Sequence, residues 1–299
     1  MSGDVTICTI ADRSFEPGCA TLLNSLIAGG FRGKVVVGKI GKGHQLPEIL
    51  AGNPLNGIEV NFVALPDKPN VNAHKPYMIS HCFDDKVVDS VFFFDSDVVC
   101  CKEWRHFEEW VNSGIAVCSD VNFLWMPPNH PQRYLYRGAI EDLNLSERKV
   151  TGYANGGFLG VRRKDSEVVE VWQQVLDWLD DRAASTSDEW NLLAGFSKYD
   201  QDALNVALMS VSAPISFVGH EGMSFGQSVG YMVHSLGSRK PWNKGYIKEL
   251  ILHGRGLPLT AREFWKHADG PIGLFSSREK RLARLEMDVT AALSRVIGR

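Results

Sequence analysis

The stretch Val91-Phe92-Phe93-Phe94-Asp95-Ser96-Asp97-Val98-Val99 constrains this chain more than any other. Four apolar residues run directly into two carboxylates one residue apart. The apolar run reads as a buried strand. A carboxylate pair at the end of such a strand is costly unless its charge is compensated. A divalent cation compensates it well, because Asp-x-Asp offers two hard oxygen ligands. The pattern therefore points to metal-assisted chemistry on a phosphate-bearing substrate. The competing reading of so short a motif is a solvated turn at a strand end.

The surrounding sequence alternates strand and helix patterns. Val5–Ile10, Lys34–Gly38, Ile58–Ala64, Val91–Phe94 and Ile115–Cys118 read as strands. Helical patterns lie between them at Cys19–Ala28, near Pro76–Phe83 and near Trp104–Val111, with Gly29-Gly30 suited to close the first. The alternation predicts an α/β fold, a mostly parallel central sheet flanked by helices. Such sheets bind ligands beyond the carboxyl ends of their strands. Asp12 and the Asp95/Asp97 pair both fall at such ends. The segment 122–149, with three prolines and with Trp125, Tyr134 and Tyr136, reads as a long irregular insertion, a lid or acceptor-binding element. Asp165–Arg182 reads as an amphipathic helix whose stripe Val168, Trp172, Val175 and Leu179 belongs to the core.

At 299 residues the chain can bury a full core, and its 44% hydrophobic and 22% charged content is ordinary for a globular protein. A net charge of -3 gives no reason to expect nucleic-acid binding. No apolar run is long enough to span a membrane, and no basic-then-apolar leader opens the chain. The six cysteines form no Cys-x-x-Cys pair. Reduced thiols and a cytoplasmic location are the expectation.

Three further segments carry chemistry-bearing residues: Tyr153-Ala154-Asn155-Gly156-Gly157, Asp200-Gln201-Asp202-Ala203-Leu204-Asn205 and His234-Ser235-Leu236-Gly237-Ser238-Arg239-Lys240-Pro241-Trp242. With Asp95-Ser96-Asp97 before them, their order resembles the retaining glycosyltransferases of family 8, which include bacterial lipooligosaccharide α-galactosyltransferases and glycogenin. That family's forms are Asp-x-Asp after an apolar strand, Phe-Asn-x-Gly, Asp-Gln-Asp-x-x-Asn and His-x-x-Gly-x-x-Lys-Pro-Trp. The resemblance spans roughly residues 5 to 243, and the last motif is its most specific part, with five positions matching. Ala154 departs from the family's phenylalanine. In Ala11-Asp12-Arg13-Ser14-Phe15, Ser14 and Phe15 stand where the family carries asparagine and tyrosine.

The resemblance implies a GT-A type domain over 1–245 and a C-terminal extension over 246–299. It implies Asp95, Asp97 and His234 as ligands of Mn²⁺, with Mg²⁺ as the alternative. It places Asp12, Phe15, Lys75, Ser96, Gly237 and Lys240 on the nucleotide and its diphosphate. It places Asp120, Asn155, Gly156, Asp200 and Gln201 on the sugar, the last two as catalytic residues. The activity it implies is transfer of a hexose, galactose or glucose, from a UDP-sugar to a glycan or glycoconjugate hydroxyl with retention of configuration. Residue by residue, plainer readings compete: a capping turn for Asp12, a hairpin for Asn155-Gly156-Gly157, a hydrogen-bonded surface histidine for His234, a solvated lysine for Lys75. The rival functions are a catalytically silent nucleotide-sugar-binding protein and a nucleotidyltransferase. No glycine-rich triphosphate loop follows the first strand, which counts against the latter.

The C-terminal end repeats Leu282, Leu285, Val289, Leu293 and Val296 at helical spacing among arginines and lysines. Such a basic amphipathic helix either packs on protein or lies on anionic lipid, a peripheral membrane contact through 278–299.

Overall fold

The computed structural model describes residues 4–51, 55, 57–68, 70–123, 125–185, 196–225, 230–237 and 239–297. The first half follows the alternation: β1 (Asp4–Asp12), α1 (Glu16–Ala28), β2 (Gly33–Ile40), α2 (Leu46–Ala51), β3 (Ile58–Leu65), α3 (Lys75–Phe83) and β4 (Val88–Phe94). After the two aspartates come β5 (Val98–Cys100), α4 (Arg105–Asn112), β6 (Ile115–Cys118), α5 (Pro131–Asp142), β7 (Phe158–Arg162), α6 (Glu167–Ser185) and α7 (Tyr199–Ser210). The chain continues through β8 (Ile215–Val218), β9 (Met223–Ser224) and β10 (Met232–His234) to α8 (Tyr246–His253), α9 (Leu259–His267) and α10 (Ser277–Ile297).

Seven strands form the main sheet in the order β3-β2-β1-β4-β7-β6-β8. All neighbours are parallel except β7, which runs antiparallel to β4 and β6. The apolar run of β4 explains its central place. Val91 and Phe93 point into one buried layer, Phe92 and Phe94 into the other. A strand buried on both faces needs an unbroken apolar sequence rather than an alternating one.

This topology concentrates chain at one edge. β2 and β3 extend from β1 to one side and β4 lies on the other, so a crevice opens at the carboxyl ends of β1 and β4. Because β7 is antiparallel, the loop that precedes it reaches that same edge: Phe158 pairs with Phe94, and Asp95 N–H donates to the Gly157 carbonyl at 2.8 Å. A second, three-stranded sheet, β5-β10-β9, sets His234 opposite Val98, one residue past Asp97.

The segment 122–149 differs from expectation. It is not irregular throughout, since α5 occupies its centre. His130 caps that helix by accepting from Gln132 N–H, and Pro131 opens it. Its hydrophobic period is hidden because Arg133 points inward while Tyr134 points outward. The Arg133 guanidinium is fully buried and spends donors on the carbonyls of Met126 and Gly152.

The last helix also departs from the sequence pattern. α10 packs through Ala283, Thr290 and Ser294, small residues that allow close approach to α8 and α9, with Met287 partly buried beside them. The stripe of Leu282, Leu285 and Val296 faces outward, Leu285 58% and Val296 84% exposed. Packing of that stripe on the main body is therefore not what holds the tail. Asn24 of α1 contributes instead: its amide donates to Ile272 O and accepts from Ile272 N, both at 3.0 Å and buried. Asn24→Ala strands a buried donor and acceptor, and urea denaturation should register a loss of about 2 kcal/mol.

Candidate active site

The turn after β1 is built by Asp12, whose Oδ1 accepts from Ser14 N–H and from Phe15 N–H at 3.0 Å. That turn leads into α1, whose cap position is Phe15, so Asp12 has the turn role the sequence left open, and it also lines the cleft. The cleft at the β1/β4 edge measures about 390 Å³ and brings together Asp12, Phe15, Lys75 and Asp95 with Gly237 and Lys240. Ser96, Asp97 and His234 complete it. Gly237 has φ +81, which an L side chain adopts only with strain.

Three potential ligands meet here. The donor atoms of Asp95, Asp97 and His234 lie within 4.8 Å of one another. His234 Nε2 is 3.1 Å from Asp97 Oδ1 and 3.7 Å from Asp95 Oδ2. Two carboxylate oxygens and an imidazole nitrogen suit Mn²⁺ and tolerate Mg²⁺ less readily. The site is also tight enough to need a glycine: a Cβ on Gly157 would come within 2.6 Å of the His234 ring and 3.0 Å of Asp95 Oδ2.

Cations hold this acidic cluster together. Lys75 is buried and its Nζ donates to Asp200 Oδ2 at 2.8 Å, Asp95 Oδ1 at 3.0 Å and the Gly156 carbonyl at 3.0 Å. Burial works against its charge, but Asp200 and Asp95 outweigh burial and raise its pKa. Lys75 is thus neither a solvated lysine nor a cation held clear for phosphate. Lys240 donates to Asp97 Oδ2 at 2.6 Å and to Ser235 O at 2.7 Å, with Phe15 beneath its ammonium. Burial alone would raise Asp97, yet His234 and Lys240 hold it well below the usual carboxylate range. Asp95 goes the other way, raised by burial despite Lys75 and His234. His234 is raised, since Asp97 and Asp95 overcome its burial. Trp242 completes the motif by packing edge-on to Phe15 and against Gly18, where a Cβ would stand 2.8 Å from its ring.

Beyond Lys75 lies a second corner. Asp120 accepts five hydrogen bonds: Asn155 Nδ2 and Gln201 Nε2 on Oδ2, and Lys198 Nζ, Asn122 N and Asn122 Nδ2 on Oδ1. Burial opposes its ionisation, but Lys198, Asn122 and Asn155 prevail and lower its pKa. Asn155 Oδ1 takes the Gly157 N–H, and Gln201 Oε1 takes the Gly156 N–H, each at 2.9 Å. The Asn155–Gly157 loop is therefore a fixed cradle rather than a plain hairpin.

Three residues organise the site through contacts that the sequence does not announce. Asn205 exchanges two hydrogen bonds with the Ala154 backbone and donates to Gln201 O, splicing α7 to the cradle. Its place one helical turn after Gln201 was the available signal. Asp202 accepts from Tyr136, Tyr153 and the Lys198 N–H, and burial still raises its pKa. Trp172 of α6 donates to Asp200 O at 2.8 Å, so the expected core stripe also fixes the first turn of α7.

No protein-family model matches the sequence, and no curated relative is found. Solved structures do match. The fold is similar to that of WbbM, a bifunctional glycosyltransferase, over 96% of this chain and 52% of that one (TM-score 0.57, 14% identity). It is similar to an active-site mutant of LgtC over 92% of this chain and 99% of the other (TM-score 0.57, 13% identity). A galactosyltransferase LgtC structure with donor and acceptor sugar analogs aligns over 93% and 99% (TM-score 0.53, 15% identity). The chain thus spans about half of WbbM and nearly all of LgtC. It has a glycosyltransferase fold of the GT-A type. At these identities the likeness concerns fold.

The crowding at Gly157 gives an expected outcome. Gly157→Ala should displace His234 or Asp95 and weaken binding of a divalent ion, with Mn²⁺ as the probe, by at least about tenfold. Electron paramagnetic resonance titration of free Mn²⁺ reads this, with circular dichroism checking that the fold is kept.

Proposed function

We propose that this protein is a metal-dependent, retaining hexosyltransferase of the family 8 kind, moving galactose or glucose from a UDP-sugar to a glycan or glycoconjugate hydroxyl. One observation carries the reading: Asp95, Asp97 and His234 share a single cleft with Lys240 and, through Lys75, with Asp200 and the Asn155–Gly157 cradle. Mn²⁺ held by Asp95, Asp97 and His234 would supply positive charge to the departing diphosphate.

The chain's own groups take the remaining roles. Asp12 and Phe15 would meet the uracil, and Gly237 and Ser96 would admit the phosphates. Lys240 would share its ammonium between Asp97 and the diphosphate. Asp120, Asn155 and the Gly156 backbone would hold the sugar. Asp200 is paired with a buried ammonium and Gln201 is an amide bonded at both ends, so neither is a strong nucleophile. This favours front-face displacement. The acceptor oxygen bonds to the anomeric carbon on the side the diphosphate leaves, the carbon–oxygen bond to phosphate breaks, and the acceptor proton passes to the departing phosphate oxygen. Asp200 would orient donor and acceptor, and Gln201 would support the positive ring. A sugar trapped covalently on Asp200 or Asp202 would overturn this order of events.

A panel of UDP-sugars with Mn²⁺, read by UDP release and thermal shift together, tests the proposal. One UDP-sugar should stabilise the protein and be slowly hydrolysed. Asp97→Asn and His234→Ala should each lower turnover at least about a hundredfold. If no UDP-sugar binds with or without metal, the uridine assignment fails.

The outward stripe of α10 suggests where the enzyme works. Leu282, Leu285 and Val296 lie exposed near Arg278, Arg281 and Arg295, the composition of a helix resting on anionic lipid. Among the described residues no helix is long and apolar enough to cross a membrane. A cytoplasmic enzyme in peripheral contact with a membrane fits both facts. The full chain should float with phosphatidylglycerol vesicles and release when Leu282 and Leu285 are both changed to Glu. Equal flotation of the two proteins sinks the membrane contact.

A further inference from the structure

The corner around Asp120 holds a feature that the donor chemistry leaves unused. Lys198 precedes α7 and reaches across to Asp120, with Nζ 2.9 Å from Oδ1. Its ammonium also lies 5.5 Å from the Phe123 ring and 5.6 Å from the Tyr153 ring. Unlike buried Lys75, its side chain is 34% exposed. An ammonium has three N–H donors, and among the described residues one of them is given to Asp120.

The surroundings of this cation suit a sugar. The loop carrying Phe123 is stitched along the cradle by Asp120 N–H to Tyr153 O and Met126 N–H to Thr151 O, both at 2.9 Å. Phe123 stands edge-on to Tyr153, and two residues on, Trp125 is 70% exposed. The Phe123 ring at this polar corner offers a face or edge to a sugar, and a part-exposed ammonium between two rings favours a negative partner over a neutral hydroxyl. Lys75 is buried and Lys240 lines the metal cleft, so neither supplies this charge.

We infer that Lys198, beside Phe123 in the corner where the transferase reading puts the acceptor, selects an acceptor sugar bearing an anionic group, a carboxylate or a phosphate. The inference rests on the transferase reading, because it takes the Asp120 corner as the place where sugar sits.

The test uses the full chain with Mn²⁺ and the UDP-sugar identified by hydrolysis. Three acceptor probes are compared at equal millimolar concentration: methyl glucoside, methyl glucuronide and methyl glucoside 6-phosphate. The readout is glycosylated product by mass spectrometry, expressed within each protein as the ratio of anionic to neutral acceptor. The natural chain should prefer at least one anionic probe by about tenfold or more, the ratio that one charge-assisted hydrogen bond commands. The preferred probe separates a carboxylate from a phosphate. Lys198→Met should bring the ratio to about one, Lys198→Glu should invert it, and Lys198→Arg should largely restore it. A lysine that merely supports Asp120 would lower all three acceptors alike and leave the ratio unchanged, which overturns the inference. So does an absence of product from both anionic probes while donor hydrolysis continues. Loss of donor hydrolysis in the natural chain instead removes the transferase reading beneath it.

Discussion

The buried ammonium of Lys75 is the interaction on which the site depends. Three carboxylates, Asp95, Asp97 and Asp200, converge where an apolar strand ends. Burial penalises each of their charges, and their mutual repulsion adds to it. Lys75 touches two of the three and ties both to the Gly156 carbonyl. It thereby connects the end of β4, the start of α7 and the cradle through one side chain. A metal would add to this arrangement rather than create it.

Much of the fold was legible because its signal is apolar and local. The strands from Val5 to Cys118 and the helices between them follow from hydrophobic period and glycine placement. What stayed hidden is polar and long-range. Arg133 buried inside α5 disguised that helix, because an inward guanidinium that donates to loop carbonyls through one nitrogen looks like a surface residue in sequence. The last helix misled in the opposite sense, with small residues inside and leucines outside.

The site divides similarly. Asp95, Asp97 and His234 were readable from their motifs, and register between β5 and β10 brings them together. Lys75 was readable as a cation near the site but not as the partner of Asp95 and Asp200, since the contact spans distant segments. Asn205 sat in plain view in its motif, yet only the Ala154 backbone opposite it reveals its use. Lys198 had no signal in the sequence, because its position before α7 gains meaning only from Asp120, 78 residues away.

The antiparallel β7 has a consequence for how such a protein can diversify. The excursion between β6 and β7 leaves and returns at the same sheet edge. It is zipped at its base by the Ser119–Ala154 bridge and by Asn155 N–H on Cys118 O at 2.8 Å. Beyond that zip α5 is tied into the core through Tyr136, Ala139 and Ile140, while the exposed residues Trp125 and Tyr134 hang from a closed neck. Rewriting those exposed positions leaves the strand order and the three metal-competent residues in place. Substrate choice and bond-making chemistry can therefore drift at different rates within one chain.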